Sequence, residues 1–236
     1  MARFARGWIR TVFINAPPTM EGVETVYRDK STGDEVSDLC ELLRRVVAMD
    51  PDVADFQLPS AGVGKIFNRK YHLLFDSESS AEEIIANVQA FPGRYCDPRL
   101  AEFNKTRGEE GQMAVGDRYH ISISGPWDGP VETIAIDERS FTFITLDGHL
   151  EAGFIRFSAN PVKDTIEFRI ESWAASAGPM VWFTYSGLKI TEKMQTKMWR
   201  HYCLKIAAVT GKNVIGPLHI STICLGEASK LGMCGE

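Results

Sequence analysis

The sequence lacks the features of a nucleic-acid-binding, membrane or disulfide-rich protein. Its 31 acidic residues outnumber 26 basic ones, giving a formal net charge of -5, and an acidic chain has no electrostatic reason to bind a polyanion. No apolar run approaches the roughly 18 residues of a membrane span. The 5 cysteines are scattered and show no CxxC spacing. We therefore expect reduced thiols, no metal, no nucleic-acid partner and no membrane span.

The chain also lacks a recognisable targeting segment. No signal-peptide core follows the first Met, so we expect a cytoplasmic protein. Three arginines, Arg3, Arg6 and Arg10, precede the first acidic residue, Glu21, and this composition occurs in organellar transit peptides. Serine and threonine are too scarce there for a typical transit peptide, and the cytoplasmic interpretation is favoured.

Short catalytic and cofactor motifs are missing as well. The sequence contains no GxGxxG, GxxxxGK[ST], GxSxG or HExxH pattern. Dinucleotide binding, a P-loop, a hydrolase elbow and a zincin site therefore have no local support. We predict no cofactor.

One amphipathic helix is predicted in the N-terminal part of the chain. In "DEVSDLCELLRRVVAMD" Asp34 can cap the helix start and Pro51 follows its end. Apolar residues recur three and four positions apart, at Val36, Leu39, Leu43, Val46 and Val47. Such a helix must dock its apolar stripe on another surface. We assign residues 1–66 to an N-terminal extension, 67–211 to the main domain and 212–236 to a C-terminal tail with one terminal strand.

The main domain begins with a strand and two helical pieces. "KYHLLF" predicts the strand, and Ser80 with Glu83 forms a capping box at the start of a helix. "PRLAEFNKT" predicts a second helical piece from Pro98. Alternating residues and turn signals then predict an antiparallel meander of six strands: "RYHISIS", "VETIAI", "SFTFITL", "LEAGFIRFS", "TIEFRIESWA" and "MVWFTYSGL".

A long amphipathic helix follows the strands. "ITEKMQTKMWRHYCLKIAAVTG" repeats apolar residues every four positions, at Met194, Met198, Tyr202 and Ile206, which predicts one buried stripe. Gly211 can end this helix. This is the helix-grip order of elements, in which a bent sheet wraps around the last helix.

The order resembles the START-like superfamily, which includes birch-pollen-allergen proteins and polyketide cyclases. Three segments, "FTFITLDGHLEAGFIRFS", "IEFRIESWA" and "KMQTKMWRHY", resemble more narrowly the family catalogued as domain of unknown function 1990. The matching positions are Thr145, Leu146, Gly148, His149, Glu151, Gly153, Trp173, Ala174 and Gln195. The resemblance covers roughly Phe67 to Thr210. The family's Ser-Arg-Pro is replaced here by "AASAGP", so no role of that arginine carries over.

The resemblance implies an α+β helix-grip fold, with a curved antiparallel sheet of six to seven strands around a long C-terminal helix. It also implies a cavity between the sheet and that helix. Our first hypothesis is a binding protein for a small apolar or aromatic molecule. The second is an enzyme, a cyclase or dehydratase using His149 and Glu151 as acid and base. The third is an interaction module without a pocket, whose N-terminal helix covers or occupies the groove.

The pair His149 and Glu151 has two interpretations. After the predicted turn "LDG", His149 can be a hairpin residue that caps a carbonyl. Alternatively, both side chains lie about 7 Å apart on one strand face and share a ligand or orient one another. Because a strand alternates faces, both point inward or both point outward. We expect them to point inward, since Gly153 on that face leaves room for a ligand or helix.

The remaining candidates are ligand-contacting side chains. Aromatic residues line semi-apolar pockets as well as cores, arginine can contact an anion, and an amide near a helix stripe contacts either ligand or solvent. The predicted ligand-binding residues are Arg156, Trp173, Trp182, Tyr185, Gln195, Trp199 and Tyr202.

Overall fold

The computed structural model describes residues 22–28, 33–49, 55–123, 128–178 and 190–227. These residues form an α+β fold of nine strands and three helices. In chain order the elements are β1 (Val23–Arg28), α1 (Asp34–Met49), β2 (Val63–Ser77), α2 (Ala81–Ala90), β3 (Ala101–Arg107), β4 (Arg118–Ile123), β5 (Asp128–Asp137), β6 (Ser140–Thr145), β7 (Glu151–Val162), β8 (Thr165–Ser176), α3 (Ile190–Thr210) and β9 (Gly211–Glu227).

All nine strands belong to one sheet, in the order β1-β9-β2-β8-β7-β6-β5-β4-β3. The β1–β9 pair is parallel and every other pair is antiparallel. The sheet is therefore mixed and larger than the predicted antiparallel sheet of six to seven strands. Register shifts within β2, β3 and β5 mark bulges, which bend a sheet and increase its twist.

Two segments differ from the sequence-based expectations. The predicted helix from Pro98 is wrong: residues 101–107 form edge strand β3, paired with β4. Ala101, Phe103 and Lys105 share one side of that strand, so pairing with β4 overrides their helix propensity. The segment treated as a tail contains the predicted terminal strand, but this strand lies inside the sheet between β1 and β2. The predicted strand "MVWFTYSGL" lies outside the described residues.

The inner face of the sheet packs against α2 and α3. Met198, Tyr202 and Ile206 are at most 6% exposed, which confirms the stripe predicted for α3. The capping box of α2 is also present, with Ser80 accepting from the Glu83 amide at 3.2 Å and Glu83 accepting from the Ser80 amide at 2.8 Å. These contacts fix the two helices that close the inner core.

The outer face of the sheet is covered by α1. Its buried residues Leu39, Leu42 and Val46 pack in a cluster with Ile144 and Phe154 of the sheet. Val47, predicted on the buried stripe, is 66% exposed, so the stripe is rotated from the predicted one. Because α1 lies on the outer face, it does not cover the groove on the inner face, contrary to the arrangement considered for an interaction module.

Three of the cysteines are free and buried, as expected: Cys96, Cys203 and Cys224. Cys40 on α1 is instead disulfide-bonded, which scattered spacing did not predict. No helix in the described ranges is long and apolar enough to cross a bilayer.

Candidate functional site

A cavity of about 70 Å³ lies between the inner face of the sheet and the first half of α3. Its wall is mostly apolar, with Phe143, Ile155, Phe157, Met194, Met198 and Trp199 among the lining residues. Polar side chains collect where β7 begins: Thr145, His149, Glu151, Ser172 and Gln195. An apolar cavity with a few converging polar groups is the usual form of a small-molecule site.

His149 reaches the cavity because a tight turn precedes β7. The His149 amide donates to the Leu146 carbonyl at 3.0 Å, and Gly148 has a φ of +92°. A positive φ at the third position of a turn is typical of type II and favours glycine. The turn predicted from "LDG" is therefore confirmed, and it aims the imidazole into the cavity.

The imidazole of His149 is held by the backbone of Glu151. Nδ1 lies 2.9 Å from both the Glu151 amide nitrogen and the Glu151 carbonyl oxygen. That carbonyl already accepts from Gln57 Nε2 at 2.8 Å, so we assign the amide as the donor and place the imidazole proton on Nε2. Burial lowers the pKa of His149 despite the opposing charge of Glu151. The ring is therefore neutral at neutral pH and presents an N–H donor.

Both carboxylate oxygens of Glu151 are engaged by other side chains. Arg69 Nη1 lies 3.2 Å from Oε1, and Gln195 Nε2 donates to Oε2 at 2.8 Å. Arg69 is 6% exposed and Glu151 8%, so this is a buried ion pair. The His149–Glu151 contact runs through the Glu151 backbone and not through its carboxylate. His149 and Glu151 thus do not form the imidazole–carboxylate hydrogen bond that a catalytic dyad uses.

Arg69 was missed by sequence analysis although a signal was present. The predicted strand "KYHLLF" begins one residue after Arg69, whereas β2 begins at Val63. Alternation places Arg69 on the same face as Tyr71 and Leu73, both buried in the inner core. An arginine at a strand position that faces the core needs a buried anionic partner. Glu151 is that partner.

The α3 candidates divide between cavity and core. Trp199 lines the cavity and packs edge-on against Phe157, with ring centroids 5.6 Å apart. Gln195 also lines the cavity, so it is not a solvated surface amide. Tyr202 is fully buried and donates to the Pro92 carbonyl at 2.7 Å. Tyr202 therefore does not line the cavity, and it joins α3 to the turn that follows α2.

Two other candidates lie on the opposite face of the sheet. Trp173 is buried under α1 and donates from Nε1 to the Glu35 carbonyl at 3.0 Å. The Arg156 guanidinium lies 5.3 Å from the centre of the Trp173 ring. In their strands both residues occupy positions whose side chains point to the outer face of the sheet. Neither side chain therefore lines the cavity. The last two candidates, Trp182 and Tyr185, lie outside the described residues.

Gly153 has a different role from the one predicted. A Cβ at this position would lie 2.0 Å from the Trp173 carbonyl oxygen and 2.8 Å from Ala174 Cα. The glycine therefore admits the backbone of β8, not a ligand. The Gly153 amide also donates to Thr145 Oγ1 at 2.9 Å, which ties the start of β7 to the end of β6.

We expect Gly153→Ala to lower the free energy of unfolding by about 2–3 kcal/mol, because β8 must shift and the alanine must adopt a strained backbone. Thermal or urea unfolding measures the change. Gly178→Ala is the matched control, since its added Cβ meets nothing within 4 Å. Similar losses in both variants would contradict the close approach of β7 and β8.

The described part of the chain offers no group of three or more His, Cys, Asp or Glu side chains positioned to hold a metal ion. The residues that line the cavity offer hydrogen bonds and apolar contact. His149 and Gln195 supply donors there, and the aromatic and methionine side chains supply the surface.

No protein family and no curated protein matches the sequence. Solved structures similar to this chain include a protein from Nitrosospira multiformis (18% identity, 61% of this chain and 97% of that chain, TM-score 0.41). Others are ginseng major latex-like protein 151 from Panax ginseng (15% identity, 62% and 99%, TM-score 0.40) and a point mutant of norcoclaurine synthase from Thalictrum flavum in complex with a transition state analogue (13% identity, 63% and 97%, TM-score 0.42). Such low scores and identities assign no ligand or activity to this chain. Membership in the domain of unknown function 1990 family stays a prediction.

Proposed function

We propose that this protein is a helix-grip binding protein for a small apolar or aromatic molecule that carries a hydrogen-bond acceptor. The observation that carries the proposal is the position of the His149 imidazole at the polar end of an apolar cavity, with the proton assigned to Nε2. Nδ1 is already engaged by the Glu151 amide, so the second nitrogen remains available for a ligand. Among the described residues Nε2 has no hydrogen-bond partner.

The cavity must enlarge when a ring-containing ligand binds. At about 70 Å³ it is smaller than the roughly 150 Å³ cavity that accommodates benzene in an engineered protein. Met194 and Met198 form part of the wall, and methionine side chains repack easily because they are unbranched and flexible. Movement of these two side chains supplies the additional space.

The geometry favours binding over acid–base catalysis by His149 and Glu151. A general base must reach the proton that it removes, whereas the Glu151 carboxylate is ion-paired with Arg69 and hydrogen-bonded by Gln195. His149 alone can exchange a proton with a bound molecule. Product formation from a ligand that co-purifies with the protein would instead support the enzyme hypothesis.

Native mass spectrometry of gently purified protein tests the proposal directly, because a retained ligand adds its mass to the chain. Affinity for a matched pair of probes, acetophenone and ethylbenzene, tests the role of His149. We expect His149→Phe to weaken acetophenone binding about fivefold, since one hydrogen bond contributes about 1 kcal/mol, and to leave ethylbenzene binding nearly unchanged. Ligand-observed NMR or calorimetry measures both affinities.

Asp147→Asn is the matched control, because Asp147 is exposed in the same turn. It should leave both probe affinities unchanged. If neither probe binds and no ligand co-purifies, the proposed function is wrong. If both probes bind and His149→Phe affects them equally, the cavity binds apolar molecules but His149 does not recognise an acceptor.

A further inference from the structure

A groove of about 800 Å³ adjoins the cavity on the inner face of the sheet. It lies between edge strand β3 and the turn that follows α2, and its apolar wall contains Phe91, Pro92, Pro98, Ala101, Phe103 and Tyr119. Phe103 also lines the cavity, and among the described lining residues it alone is common to both. The groove therefore continues the cavity toward the edge of the sheet.

The register of three strands aligns this groove with His149. Gly129 of β5 pairs with Ile121 of β4, and Ile121 pairs with Phe103 of β3. A Cβ on Gly129 would lie 3.3 Å from both His149 Nε2 and Ile121 Cβ. The Nε2 atom therefore lies beside the first residue of a row that crosses the sheet to Phe103. Because neighbouring strands are about 4.8 Å apart, this row is about 10 Å long.

The inner wall of the groove suits an apolar chain. Its one buried cation, Lys105, has a side chain that is 5% exposed and is already engaged. The Lys105 Nζ atom lies 2.6 Å from Asp117 Oδ2 and donates to two backbone carbonyls of the β3–β4 connection. The other charged residues that line the groove are exposed to solvent: Arg94, Glu102 and Glu110. A ligand in the groove therefore meets apolar surface inside and charged side chains only at the rim.

An exposed aromatic ring lies at the outer part of the groove. Phe91 is 53% exposed, and its Cζ atom would lie 4.0 Å from a Cβ on Gly111, which lines the groove in the β3–β4 connection. The Phe91 ring therefore reaches across the groove. Contact with a ligand would remove the apolar surface of this ring from water, which stabilises a complex.

We propose that the ligand is a linear long-chain carbonyl compound, such as an aliphatic methyl ketone, that occupies the cavity and the groove together. This inference rests on the proposed function and adds the shape of the ligand to it. The carbonyl accepts from His149 Nε2, and the alkyl chain follows the row from Gly129 past Ile121 to Phe103.

Phe103 determines how far a bound chain extends. Carbon–carbon bonds of about 1.5 Å advance an extended chain by about 1.3 Å each, so about eight bonds span the row of about 10 Å. Phe103 is only partly buried against the inner core, and rotation of its side chain lets a longer chain pass into the groove. Short ketones stay in the cavity, whereas longer ones also contact the groove.

The affinities of the full chain for 2-pentanone and 2-undecanone test the proposal, since both are methyl ketones and differ only in chain length. We expect 2-undecanone to bind at least about tenfold more tightly, because its additional methylene groups leave water. Phe103→Trp, which narrows the passage, and Phe91→Ser, which removes the exposed ring, should each reduce this affinity ratio about fivefold. Calorimetry or ligand-observed NMR measures the affinities.

Val115→Ser is the matched control, because Val115 is 51% exposed and is not among the described residues that line the groove. It should keep the affinity ratio of the parent chain. Amide NMR gives a test without any variant. Both ketones should shift the signals of cavity residues, and 2-undecanone alone should also shift those of Phe91, Asn104 and Gln112.

The outcomes separate this inference from the proposed function. If 2-pentanone binds but 2-undecanone binds no more tightly, the inference is wrong and the proposed function stands. The same holds if neither phenylalanine substitution changes the affinity ratio, or if 2-undecanone leaves the groove signals unshifted. If neither ketone nor acetophenone binds, both the inference and the proposed function are wrong.

Discussion

Arg69→Met should lower the free energy of unfolding by about 3–5 kcal/mol, the cost of leaving one member of a buried ion pair without its partner. Methionine keeps most of the apolar stem, so the loss comes mainly from the charge. Glu151 is 8% exposed, and its Oε1 lies 3.2 Å from Arg69 Nη1. Urea unfolding at constant pH measures the change.

The double variant Arg69→Met with Glu151→Gln distinguishes the ion pair from simple packing. Because removal of both charges from a buried pair is often nearly neutral, the double variant should recover much of the stability lost in Arg69→Met. Arg45→Met is the surface control, since Arg45 is paired with Glu41 at 3.9 Å on exposed α1 positions and should cost less than 1 kcal/mol. Additive losses in the double variant would contradict the coupling.

Met198→Asp should cost about 4 kcal/mol or more, because it removes apolar burial and places a carboxylate in the inner core. Met198 is 6% exposed on α3. Thermal unfolding measures the effect, and a loss of this size lowers the melting temperature by about 10 °C for a domain of this length.

Two variants separate charge from shape at this position. Met198→Leu should cost less than about 1.5 kcal/mol, because it preserves apolar volume. Arg200→Asp, two residues further along α3 at a partly exposed position, should cost much less than Met198→Asp. Equal losses in the two aspartate variants would mean that α3 presents a different face to the sheet.

The inner face of the domain was largely predictable from residue spacing. The four-residue repeat of α3 identified its buried side, and alternation in the predicted strand placed His149 and Glu151 together on one face. Spacing did not decide whether that face points inward, and the inward expectation rested on Gly153, which in the structure allows the backbone of β8 to approach. The outward orientation of Arg156 and Trp173 could have been predicted from strand alternation. Trp173 shares the parity of Glu167 and the other charged residues of β8, which places it on the outer face.

What covers that outer face could not be predicted from the sequence. The apolar stripe on α1 predicted that this helix packs against another surface. Residue spacing within a helix does not indicate which surface that is. The position of β9 in the sheet could not be predicted either, because a short apolar segment after a helix does not specify which strand it pairs with. Pairing with β2 and β1 depends on contacts between residues far apart in the chain.

The junction between α3 and β9 gives the cavity wall a fixed pivot. Strand β9 begins at Gly211, immediately after α3 ends at Thr210, and Ser77 Oγ donates to the Thr210 carbonyl at 2.7 Å. From this anchored end α3 extends about 24 Å to Met194 at 1.5 Å per residue. A rotation of about 5° at the pivot would therefore move the Met194 end by about 2 Å, and such a rotation would widen the cavity without separating any strands of the sheet.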